Sequence, residues 1–129
     1  MKEIPFFRDL DTRKKKRRIN LENFNFKMLK SKEMNDYLNF GETYFDNSEL
    51  GIGYGKYKYD NRFKKNVKKI ISFFKLKKKS KILEIGCAKG FLLVEFYKQG
   101  MDVIGLEKSS YAIKNSHKLI KKKIKNFDI

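Results

Sequence analysis

Apolar and polar positions change their spacing three times along the second half of the chain. Over residues 61–75, Phe63, Val67, Ile70, Ile71 and Phe74 fall at i, i+4, i+7, i+8 and i+11. That is one apolar stripe, and it predicts an amphipathic helix packed on a sheet. Asp60 stands where an N-cap is wanted. The run Ile82-Leu83-Glu84-Ile85 is short, apolar and closed by Gly86, so it reads as a buried strand. Residues 91–99 form an apolar helical run, and Gly100 suits its C′ position. Residues 101–106 read as a second strand ending in Glu107, and Ser109 or Ser110 can cap the helix that follows. Residues 124–129 read as a third strand with Asp128 near its end. Strands alternate with helices, so the predicted fold class is α/β.

The first half is less regular. Residues 24–39 predict a helix with Phe24, Met28 and Leu38 as packing positions and Gly41 as its stop. Residues 51–62 carry glycine at 51, 53 and 55 and tyrosine at 54, 57 and 59. Three alternate glycines exclude a stable helix there. The segment reads either as a surface loop whose tyrosines cover the edge of the core or as a lid over a ligand. The organisation expected is a basic, mostly helical or irregular N-terminal extension at 1–50, followed by the α/β part at 51–129.

The turn after the first strand carries the chemistry. Ligands of open α/β sheets bind beyond the carboxyl ends of the strands. Small residues stand at 86, 88 and 90, with Phe at 91, so the third comes one position too early for a dinucleotide fingerprint. No Gly-Lys-Ser/Thr is present for a P-loop. Glu84, two residues before the first glycine, is foreign to both patterns. Glu107 lies 23 residues further on, at the end of the second strand. An acidic residue there can accept hydrogen bonds from both hydroxyls of a ribose.

The run from Glu84 to Gly90 resembles the first motif of class I S-adenosylmethionine-dependent methyltransferases, acidic-x-Gly-x-Gly-x-Gly. Glu84, Gly86 and Gly90 match it, and Ala88 holds the place of the middle glycine. Residues 105–113 look like the family's second motif, with Glu107 where Asp is more usual. The tyrosine segment, through Tyr57, Tyr59, Asp60 and Arg62, resembles one that precedes the domain in a bacterial branch of the family. The resemblance implies S-adenosyl-L-methionine as cofactor and SN2 methyl transfer to an unidentified acceptor. It implies that Gly86, Cys87, Ala88 and Gly90 offer backbone groups to the cofactor's amino-acid end. It further implies that Glu84 attracts the ammonium, Glu107 the ribose and Asp128 the adenine amino group.

The resemblance is read over residues 51–129, as the N-terminal part of such a domain. In the family the first strand is central, with a fourth strand on its far side. The sequence therefore predicts a Rossmann-like fold truncated after its third strand, active only if a C-terminal half completes it. A bare apolar edge then invites a complementing chain or self-association.

The formal net charge is +17, which by itself suggests a polyanion partner. Yet Lys, Asn, Ile, Phe and Tyr make up 68 of the 129 residues. All five have AT-rich codons, so codon bias accounts for the excess without such a partner. Many lysines also fall where helices end, which the helix dipole favours. A basic module gripping nucleic acid or phosphate through the run 13–18 is the alternative reading, and an inactive remnant is another; specific nucleic-acid recognition is not expected. One Cys and one His exclude a Cys/His zinc site and an internal disulfide. No apolar run reaches a membrane span and no signal-peptide core begins the chain, so a cytoplasmic location is expected. Cys87 is expected to contribute backbone and volume, and His117 to be a surface residue within a helix. No catalytic base is evident.

Overall fold

The computed structural model describes residues 5–7 and 21–127. Asp128 and the basic run 13–18 lie outside the described residues. The chain divides into two compact units, Met1–Lys58 and Tyr59–Ile129.

In the first unit the expected helix over 24–39 is broken. Asn25 accepts from Lys27 N at 3.1 Å and starts a separate 3-10 turn, Phe26–Met28. Leu29 and Lys30 are then extended, and helix α1 begins only at Ser31 and ends at Leu38. Lys30 N donates to Glu33 Oε2 at 3.0 Å, satisfying an orphan donor at the helix start. Met28 is 79% exposed and Leu38 64% exposed, so neither is a packing position. Aromatic rings supply the packing instead. Tyr44, at the middle of the short helix α2 (Glu42–Phe45), meets Tyr37, Phe40 and Tyr54 at centroid distances of 5.4, 5.0 and 5.5 Å. Phe45 and Tyr57 are buried in the same group.

The second unit follows the predicted order. Helix α3 is Lys64–Phe73, shorter than expected. Val67 is fully buried, and Ile70 and Ile71 pack against the core. Phe74, past the helix end, is 58% exposed. Asp60 does not cap this helix: its carboxylate binds the Arg62 guanidinium at 2.7 Å through Nε and Nη2, and Phe63 takes the N-cap position. Helix α3 packs on helix α4 (Phe91–Lys98), and its Val67 shares a core cluster with Val103 of the sheet.

Strands β1 (Lys81–Ile85), β2 (Asp102–Glu107) and β3 (Ile124–Asn126) form a parallel sheet in the order β1-β2-β3. Leu83 pairs with Ile104, Ile85 with Leu106 and Glu107 with Asn126. Residues alternate between faces. Val103 and Ile124 join Val67, Leu93, Val94, Phe96, Met101 and Ile120 in the core on one face. The opposite face bears Leu83 and Ile85, each 60% exposed. The first strand is thus buried on one face only, and among the described residues it lies at the edge of the sheet. Helix α5 (Ser110–Lys114) starts at Ser109, whose hydroxyl accepts from Ala112 N at 2.9 Å as predicted. Lys121 Nζ donates to the Lys114 carbonyl at 2.8 Å, so a lysine closes that helix end. The architecture is a three-stranded parallel sheet with flanking helices, consistent with a Rossmann-like arrangement. No helix among the described residues is long and apolar enough to cross a membrane.

Candidate functional site

A tight loop over residues 86–90 joins β1 to α4. Three of its residues have left-handed backbone: Gly86 (φ 70°), Ala88 (φ 50°) and Gly90 (φ 73°). At Gly90 a Cβ would lie 2.3 Å from Ile120 Cδ1, so a side chain there would have to displace the buried Ile120. At Gly86 a Cβ would meet nothing within 4 Å, so the space above its backbone is open. Ala88 takes the turn that glycine prefers, and its N–H shows how it is held.

That N–H donates to Glu107 Oε2 at 2.6 Å. The other oxygen, Oε1, accepts from Ser109 N at 2.8 Å. Glu107 is buried, and its two oxygens tie the loop after β1 to the start of α5. A carboxylate has about four lone-pair sites, so two bonds leave acceptor capacity on Glu107.

Glu84 lies on the same sheet face. It pairs in register with Gly105, two residues before Glu107. Its Oε2 is buried and has no hydrogen-bond partner among the described residues. Burial pushes its carboxyl up from an ordinary 4.5 to about 8, and the Glu107 charge adds to the rise. Glu84 is half-buried as a residue, and with no donor on its buried oxygen the carboxyl favours its neutral form.

Cys87 is buried. A Cβ on Gly105 would lie 2.6 Å from its Sγ, so the thiol occupies the room that Gly105 leaves. Burial, reinforced by Glu84 and Glu107, pushes this thiol up to about 12, which suits packing and not nucleophilic chemistry. Lys89 is buried, with its Nζ 5.6 Å from the centre of the Tyr111 ring. The Lys89 carbonyl accepts from His117 N at 3.1 Å.

The structure thus brings Glu84, Gly86, Cys87, Ala88, Gly90 and Glu107 together around one loop. Asp128 lies outside the described residues. His117 departs from expectation. It sits outside any helix, half-buried, with its ring 4.7 Å from that of Tyr59. Its Nδ1 accepts from Leu119 N at 3.2 Å. Burial and then the nearby Lys98 and Lys118 charges lower its pKa.

A polar group behind the loop escaped the sequence reading. Glu95 is 2% exposed in the middle of α4. The Tyr59 hydroxyl donates to its Oε1, and Lys98 Nζ donates to Tyr59 Oη at 2.6 Å. Burial and the Glu95 bond raise the Tyr59 pKa. The signal was available: a lone carboxylate inside the apolar run Phe91–Lys98 needs a dedicated partner.

Comparison with family models matches residues 8–128 to the model described as Protein-L-isoaspartate(D-aspartate) O-methyltransferase (PCMT). No significant match was found among curated proteins or among solved structures. The family match corrects the extent of the resemblance. The motifs confined it to 51–129, as an N-terminal part of the domain, because they lie only there. The match runs through almost the whole chain, including most of the first fifty residues. With the strand–loop–helix geometry it places this protein among class I methyltransferases: the chain belongs to the protein-L-isoaspartate(D-aspartate) O-methyltransferase family.

Proposed function

We propose that this chain binds S-adenosylmethionine at the loop 86–90 and serves methyl transfer to a carboxylate oxygen. The observation that carries the cofactor reading is the orphaned, buried Oε2 of Glu84 on the strand that leads into the loop, together with the open backbone of Gly86. A carboxyl without a partner fits a ligand ammonium, and a backbone without an obstructing Cβ fits close approach. The residues present therefore suit the cofactor that the family implies. When bound, S-adenosylmethionine supplies an electrophilic methyl group on a sulfonium.

Each residue has a distinct part in this reading. Glu84 holds the ammonium. Gly86, Cys87, Ala88 and Gly90 present backbone groups to the amino-acid end. Glu107 keeps the loop in its left-handed turn and offers its remaining acceptor sites to the ribose hydroxyls. Asp128, outside the described residues, is assigned the adenine amino group by the family resemblance alone. The chain's contribution to rate is alignment of the two reactants.

The acceptor reading rests on the family description, which names an isoaspartyl residue. A carboxylate is already ionised near neutral pH, so it attacks without a base to remove a proton. This fits a chain in which the sequence reveals no catalytic base. The net charge of +17 also favours the approach of an anionic acceptor.

Calorimetry with S-adenosylhomocysteine tests the cofactor site, and labelled methyl transfer to an isoaspartyl peptide against its aspartyl isomer tests the acceptor. Binding and transfer to the isoaspartyl peptide alone are expected. Absence of binding would remove the cofactor reading; equal transfer to both peptides would remove the acceptor reading.

A further inference from the structure

Two carboxyl groups lie on one face of adjacent strands at the mouth of the loop, and their surroundings differ. Glu107 is matched by two backbone donors, from Ala88 and Ser109. Glu84 has a buried oxygen with no donor at all. Glu107 is buried and Glu84 half-buried with one buried oxygen; two such neighbouring carboxyls cannot both carry charge cheaply, and the one lacking donors keeps its proton. We propose that Glu84 is protonated in the ligand-free chain and gives up that proton when a ligand ammonium docks beside it, so that the site selects for an ammonium-bearing ligand and releases a proton on binding. This rests on the cofactor reading above.

The proton balance is simple. The Glu84 O–H bond breaks, the proton passes to buffer, and the carboxylate left behind pairs with the ammonium. The surrounding groups agree with this. From β2, Glu107 opposes a second negative charge. From the loop, the Cys87 thiol remains protonated across the neutral range. Lys89 directs its Nζ toward the Tyr111 ring, and Lys108 is exposed. From α4, Glu95 is engaged by Tyr59. An arriving ammonium is the charge that makes ionisation of Glu84 favourable.

Calorimetry of the full chain at pH 7, in buffers of differing ionisation enthalpy, reads the released proton directly. With S-adenosylhomocysteine we expect about one proton released per site and an affinity that rises roughly tenfold per pH unit from pH 6 toward pH 8. With 5′-methylthioadenosine, which lacks the ammonium, no release is expected. Glu84→Gln should bind S-adenosylhomocysteine more weakly and without buffer dependence. Binding of S-adenosylhomocysteine with no buffer dependence in the unaltered chain would overturn this inference and leave the cofactor reading intact; no binding would overturn both. A carbon-13 NMR titration of the ligand-free chain needs neither ligand nor variant. It should show one glutamate carboxyl titrating near pH 8. All glutamates titrating in the ordinary range would overturn the inference whatever the calorimetry gives.

Discussion

Ala88 N and Glu107 Oε2 are 2.6 Å apart, although 19 residues separate them in sequence. This bond fastens the loop that leaves β1 to the last residue of β2. It also explains how a non-glycine residue stands at φ 50° in the loop. A charge-assisted hydrogen bond offsets the strain of a left-handed alanine, about 1–2 kcal/mol.

Replacing Glu107 should therefore affect the fold as well as the ligand. Glu107→Ala leaves the Ala88 and Ser109 N–H groups without their acceptor, at about 1–3 kcal/mol for each buried donor. A lower Tm and a loss of S-adenosylhomocysteine affinity are expected together, by thermal melting and calorimetry. Weakened binding with an unchanged Tm would mean that Glu107 serves the ligand alone.

Ala88→Gly should raise stability slightly, by up to about 1 kcal/mol. Glycine relieves the left-handed strain but adds entropy to the unfolded chain. Its N–H still reaches Glu107. Urea denaturation reads the difference, and a clear loss of stability would show that the alanine methyl group is needed for packing.

Glu84 makes stability depend on pH in an unusual direction for a carboxyl. Its folded-state value of about 8 lies above the ordinary 4.5. Below pH 4.5 it is neutral whether folded or unfolded, and its contribution is fully present. Between pH 4.5 and 8 the unfolded chain ionises first, so stability falls with rising pH, by up to about 1.4 kcal/mol per unit. Urea midpoints at pH 5, 6.5 and 8 should decline in the unaltered chain by this amount more than in Glu84→Gln. Parallel declines would place the charge elsewhere.

The Tyr59–Glu95 bond should behave as a coupled pair. Tyr59→Phe strands a buried carboxylate oxygen, which costs about 1–3 kcal/mol. Glu95→Leu removes the carboxylate but strands the Tyr59 hydroxyl beside Lys98. Combining the two changes should recover much of the loss, because an apolar pair needs no donor. A double-mutant cycle by chemical denaturation checks this, and strict additivity would show that the two side chains act separately.

What could be read along the chain was local. The stripe through Val67, Ile70 and Ile71, the run ending at Gly86, the Ser109 cap and the Gly100 stop all depend on residues a few positions apart. Periodicity, caps and turns act over that range, so the elements of the second unit and their order were legible. The loop 86–90, with Glu84 and Glu107 at two strand ends, was legible for the same reason. Other local signals were outweighed by neighbours. Asp60 had the right place for a cap, but Arg62 bound its carboxylate. Phe74 continued the apolar stripe, but the helix stopped one residue earlier.

The sequence by itself determined the alternation of strands and helices and the residue types at the loop, because both follow from short-range geometry and chemistry. Only the tertiary structure decided which groups meet. It joined Ala88 to Glu107, set the Cys87 thiol over Gly105, paired Tyr59 with Glu95 and left Glu84 Oε2 alone. It also left Leu83 and Ile85 exposed on a strand whose composition suits burial. Spacing says which face of a strand a residue occupies; whether anything covers that face depends on elements packed from elsewhere in the fold.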